Sequence, residues 1–133
     1  AGFVDIYSSA IIGIIAACGC FLAVKYKEKK GWDDALDVWG IHGMGGIIGT
    51  ICLGFFANST INEAIPNGLF FGGDGMLLFK ECAAILFATS YAFFFTLLLF
   101  KIINKFIPVK VTDEDQELGL DLSHHGEVAR QQR

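Results

Sequence analysis

One ionisable side chain, His42, stands inside an apolar run of about 20 residues from Val38 to Ala57. Ionisable groups within a membrane are costly and as a rule face a bundle interior or a wet cavity, so His42 is the first residue to weigh for function. An imidazole titrates near neutral pH and offers one donating and one accepting nitrogen, so it can join a proton chain or hydrogen-bond a small neutral solute. The plainer alternative is an imidazole bonded to a neighbouring helix. Glycines surround it: Gly45 and Gly49 form a G-x-x-x-G, and Gly46, Thr50 and Gly54 follow His42 at four-residue steps. Such a strip of small residues lets another helix pack closely beside the histidine. Asp33, Asp34 and Asp37 precede the run, where carboxylates cap free amides and suit the helix dipole, and we read them as structural.

Other residues with chemical potential gather into no site. Cys18, Cys20, Cys52 and Cys82 fall inside apolar runs without C-x-x-C spacing, which suits small buried apolar residues better than redox or metal chemistry. His124 and His125 are adjacent, and adjacency alone does not supply converging ligands. Lys80 and Glu81 read as interfacial charges whose stems lie along an apolar surface. Asn58-Ser59-Thr60 is formally a glycosylation sequon. No Ser or Cys nucleophile, carboxylate pair or metal cluster accompanies His42 in the apolar runs, so no catalytic residue, metal or cofactor is expected.

The elements that must position these residues are membrane spans. The 133-residue chain is 53% hydrophobic and 18% charged, with a mean hydropathy of +0.52. Soluble domains are typically about 45–50% apolar and about 25% charged. A net charge of -4 removes the basic footprint of a nucleic-acid binder. Ile6 to Val24 and Cys82 to Phe100 are each free of formal charge. About 20 apolar residues cross a hydrocarbon core of roughly 30 Å. The expected class is all-α, a polytopic bundle with helices at about 5–25, 34–57 and 76–105, a membrane region over 1–106 and a polar tail over 107–133. A helix beginning at Asp33 or Asp34 would set His42 about 12 Å deep, and we adopt that longer helix. The first apolar run lacks the basic start of a signal peptide, and the chain begins at Ala1, which suggests a fragment. Lys25, Lys27, Lys29, Lys30, Lys101, Lys105 and Lys110 share one side of a three-span topology, and the positive-inside bias makes that side and the tail cytoplasmic. In the tail, Thr112 can cap a short acidic helix that Gly119 would end, a bland amphipathic turn or a docking surface.

Asp33 to Gly49, with its Asp-Asp-Ala-Leu-Asp-Val-Trp-Gly-Ile-His-Gly core, resembles the tenth-helix signature of the Amt/Mep/Rh ammonium transporter family, Amt branch. Glu117-Leu118-Gly119-Leu120-Asp121 with His125-Gly126-Glu127 is similar to the family's cytoplasmic tail, and Gly2-Phe3 with Ala10 to Gly13 resembles the start of its ninth helix. The likeness covers nearly the whole chain. It departs at Tyr91, at Phe93-Phe94-Phe95 and at Val109-Lys110-Val111.

The resemblance implies the last three helices and tail of an eleven-helix subunit, one of three in a homotrimer, with N-terminal helices that this segment does not contain. It implies that His42 is the second of twin pore histidines, that Gly45, Gly46 and Gly49 pack around the pore, and that Glu117, Gly119, Asp121, Gly126 and Glu127 belong to a regulatory tail. Ammonium or ammonia is the expected substrate, membrane lipid the surroundings, and a PII-type signal protein a conceivable cytoplasmic partner. The rival reading is a non-transporting ammonium sensor that signals through the tail. A membrane enzyme built on His42 is the remaining alternative.

Overall fold

The computed structural model describes residues 2–127, so the expectations for Ala1 and for tail residues 128–133 lie outside the described residues. The described residues form helices and turns without strands. Among the described residues, three helices are long and apolar enough to cross a membrane: Ile6–Lys30, Trp39–Phe56 and Met76–Ile103. The chain divides into two compact units, Ala1–Thr89 and Ser90–Arg133, with the boundary inside the third long helix.

In the first unit, helix α1 (Ile6–Lys30) starts on Asp5. The Asp5 carboxylate accepts the Ser8 amide at 2.9 Å and the Ser8 hydroxyl at 2.7 Å, which satisfies donors that the first turn leaves free. The helix runs past the expected end near residue 25. Nothing in Lys25 to Lys30 breaks a helix, Lys25 and Glu28 pair at 2.9 Å, and three lysines sit at the negative end of the dipole. It stops at Gly31, whose φ of 65° is a left-handed conformation that glycine adopts at little cost.

The second span differs from expectation at its start. No helix begins at Asp33 or Asp34; residues 33–37 form a loop, and a π-helical turn, Trp39–Gly43, leads into α2 (Met44–Phe56). Asp37 is the cause: its φ of 53° is left-handed and incompatible with continuing a right-handed helix. His42 therefore sits in the opening turn of the span, not about 12 Å along it.

Close approach of α1 and α2 depends on glycine. A Cβ at Gly45 would lie 3.2 Å from Cys20 Sγ, and one at Gly19 would collide with the Ile48 side chain. At the far end of α2, a Cβ on Gly54 would lie 2.8 Å from Leu78 Cα at the start of α3 (Met76–Ile103). Between α2 and α3, the Ala57 carbonyl accepts the Gly68 amide at 2.8 Å, and a 3-10 turn at Leu69–Phe71 sets Phe70 against Phe55 and Phe56 with centroids 5.3 and 5.0 Å apart. Among the described residues, buried apolar side chains are few: Ala23, Cys52, Ala57 and Leu77. Most large apolar residues are exposed, as they are when lipid or further helices supply the other side.

In the second unit, α3 ends at Ile103, two residues short of expectation, where Asn104 turns the chain and accepts the Val109 amide at 3.1 Å. Helix α4 (Asp113–Leu118) is capped by Thr112, whose Oγ1 accepts the Asp115 amide at 3.1 Å and donates to the Asp115 carboxylate at 2.7 Å. Gly119 closes it at φ 86°, and a π-helical turn, Asp121–His125, ends on Gly126 at φ 65°.

Candidate functional site

The π-helical turn carries the histidine. In it the Met44 amide reaches back to the Trp39 carbonyl, five residues away, instead of the usual four. Such turns are rare and recur at functional sites. The turn is pressed against α1. Gly40 is buried, and a Cβ there would lie 2.7 Å from Val24 Cγ2 and 3.2 Å from the Val24 backbone nitrogen. One turn before, the Cys20 thiol donates to the Ile41 carbonyl at 3.6 Å. His42 itself is exposed in this chain, and no described residue hydrogen-bonds its ring.

Of the three glycines expected around the histidine, Gly45 alone packs within this chain, against Cys20. Gly46 and Gly49, three residues apart and so on one face of α2, have open space where a Cβ would stand. Thr50 turns its hydroxyl back onto the Gly46 carbonyl at 2.8 Å and spends its donor there. A cavity of about 310 Å³ continues from Gly49 and Thr50 to Leu53, Ile12, Val4 and Phe3. A more apolar cavity of about 390 Å³ lies between Ile15, Ile48, Ile51, Cys52, Phe55, Phe56 and Phe70.

The three aspartates do not act as one cap. Asp34 is the cap: its two carboxylate oxygens accept the Val38 and Trp39 amides, each at 2.9 Å. Asp37 instead forms an ion pair with Lys27, and its carbonyl accepts the Ile41 amide at 2.8 Å. Asp33 is exposed and caps nothing. Lys27 also donates to the Asp34 carbonyl at 2.6 Å and is buried, unlike Lys25, Lys29 and Lys30. From sequence, Lys27 counts only as one of seven lysines on one side of the membrane. A partner ten residues away across a loop leaves no periodic signal to find it by.

In the tail, Glu117, Gly119, Asp121, Gly126 and Glu127 are exposed. The Asp121 carbonyl gathers the Gly126 and Glu127 amides, the latter at 2.9 Å, so the turn closes through its backbone. His124 Nε2 lies 3.8 Å from Asp115. Among the described residues, no group of three or more His, Cys, Asp or Glu could hold a metal ion. The four cysteines are free thiols; Cys52 is buried, Cys20 is half-buried, and Cys18 and Cys82 are exposed, contrary to the expectation of four buried residues.

This chain is similar to known ammonium transporters. The ammonium transporter of Bacillus subtilis is 46% identical over 132 residues, which cover 98% of this chain and 32% of that protein. Ammonium transporter Amt1 of Archaeoglobus fulgidus is 40% identical over 129 residues, covering 97% of this chain and 32% of its own length. The crystal structure of Saccharomyces cerevisiae Mep2 matches with a TM-score of 0.77 at 30% identity, over 85% of this chain and 27% of that one. The chain thus spans about a third of the length of the curated relatives it matches. Residues 1–130 match the description Ammonium Transporter Family, and with three helices of spanning length the chain belongs to that family as a multi-pass membrane protein.

Proposed function

We propose that this chain forms the C-terminal part of an ammonium transporter subunit and that His42 lines its conduction path. The observation that carries the reading is the exposed imidazole in the opening turn of a spanning helix, with open space over Gly46 and Gly49 one and two turns beyond. An ionisable side chain on such a face needs a wet or polar neighbour, and a pore supplies one.

The physical logic of the path is desolvation. A bare cation moved into a low-dielectric interior costs on the order of tens of kcal/mol, whereas a neutral amine with a hydrogen-bond partner avoids most of that. Ammonium therefore sheds its proton before the dry centre. An imidazole can hydrogen-bond the passing ammonia or take part in moving the proton separately. The remaining pore wall, including a second histidine, comes from helices outside this segment, and three such subunits assemble around one axis. The helix ends rich in lysine and the tail face the cytoplasm of the cell membrane, following the positive-inside bias. The tail turn built on Gly119, Asp121 and Gly126, with Glu117 and Glu127 exposed beside it, serves regulation and offers a surface to a PII-type protein.

The test is methylammonium uptake by cells lacking their own ammonium transporters and expressing the intact subunit. Saturable uptake is expected. Ammonium binding without uptake would favour the sensor instead.

A further inference from the structure

Lys27 is an unusual lysine. It sits in the last turn of α1, nearly buried, with its ammonium donating to the Asp34 carbonyl at 2.6 Å and paired with Asp37. Both partners belong to the loop that launches the histidine turn. Asp34 caps Val38 and Trp39 with its carboxylate, and Asp37, the one described non-glycine residue with positive φ, feeds its carbonyl to Ile41. The ammonium thus fixes the two residues that fix the first amides of the π-helical turn.

Strained backbone persists where its surroundings over-determine it, and such residues cluster at functional sites. Here the over-determination is visible. Lys27 holds the loop, Gly40 seats the turn on Val24, and the Cys20 thiol takes the Ile41 carbonyl beside His42. Beyond the turn, α2 is locked to α1 at Gly45 and Ile48. If Asp37 relaxed to a right-handed conformation, the turn could tighten to an ordinary α-turn while α2 stayed in place. His42 would then rotate relative to Gly46 and Gly49.

We propose that Lys27 is a positioning residue for His42: its ion pair with Asp37 holds the π-helical turn in the form that aims the imidazole along the face of Gly46 and Gly49. The inference rests on the reading of His42 as a path residue, and the experiment separates the two. In the intact subunit, His42→Ala, Lys27→Met and Lys27→Arg are compared for transport rate, for half-saturation and for the rate at which diethyl pyrocarbonate modifies the peptide containing His42.

Lys27→Met is expected to lower the maximal rate about tenfold at unchanged half-saturation and to change His42 modification by a similar factor, with normal membrane yield. Lys27→Arg, which restores a cation, is expected to recover both to within about threefold of wild type. If His42→Ala abolishes transport while Lys27→Met transports and is modified like wild type, the positioning role is wrong and the path reading stands. If Lys27→Met loses transport only in proportion to lost yield, with unchanged His42 modification, Lys27 is merely structural and the proposal also falls. If His42→Ala transports normally, the path reading itself is wrong.

Discussion

Asp5 shows how a single side chain sets the boundary of a span. Its carboxylate takes the backbone amide and then the hydroxyl of Ser8, and those two bonds hold its pKa below the ordinary carboxylate value. A group whose pKa is lowered on folding adds stability at neutral pH, and that contribution is lost as pH falls through the lowered value. Amide exchange at Ser8 should therefore quicken, relative to the middle of α1, once pH drops below the ordinary carboxylate range. Asp5→Asn, which caps without titrating, should flatten that dependence; an equal pH dependence in the variant would contradict the assignment. His42 stood out as a candidate from residue type alone, because an ionisable group among apolar residues has few explanations, and of its three glycines Gly45 alone packs within this chain. Lys27 was not. Its burial depends on a loop whose path the sequence does not encode by period, and four lysines in six residues look alike until one of them finds a carboxylate.

Helices were read more surely in their middles than at their ends. The apolar lengths of α1 and α3 dictated spans, since each must satisfy its backbone internally in lipid. Their ends moved for local reasons: lysines favourable at a helix C-terminus carried α1 on to Lys30, and Asn104 closed α3 early. The start of the second span was misread because three aspartates resemble one cap, whereas Asp34 alone caps and Asp37 breaks the helix. The price of closeness between α1 and the histidine turn is glycine at position 40. Gly40→Val would drive a branched side chain into Val24 and its backbone, an overpacking that costs about 1–3 kcal/mol. The detergent-solubilised intact subunit should melt several degrees lower, and an unchanged melting temperature would show that the turn is not held so tightly.

At the scale of the molecule, the scarcity of buried side chains is the informative fact. Among the described residues, Ala23, Cys52, Ala57 and Leu77 do not make a core, while α1 and α3 each carry many exposed large apolar side chains. On the reading proposed above, a segment about a third as long as its relatives, with an exposed histidine and open space over Gly46 and Gly49, would be one wall of a path completed by the rest of the subunit. The central claim is that ammonium crosses past His42. Its most direct test is the ammonium-evoked current of proteoliposomes containing the intact subunit, compared with the same preparation bearing His42→Ala. A robust wild-type current that falls by about a hundredfold or more in the variant is predicted, in the range seen when a positioned proton-transfer group is removed. An undiminished current from correctly inserted His42→Ala protein would contradict the account.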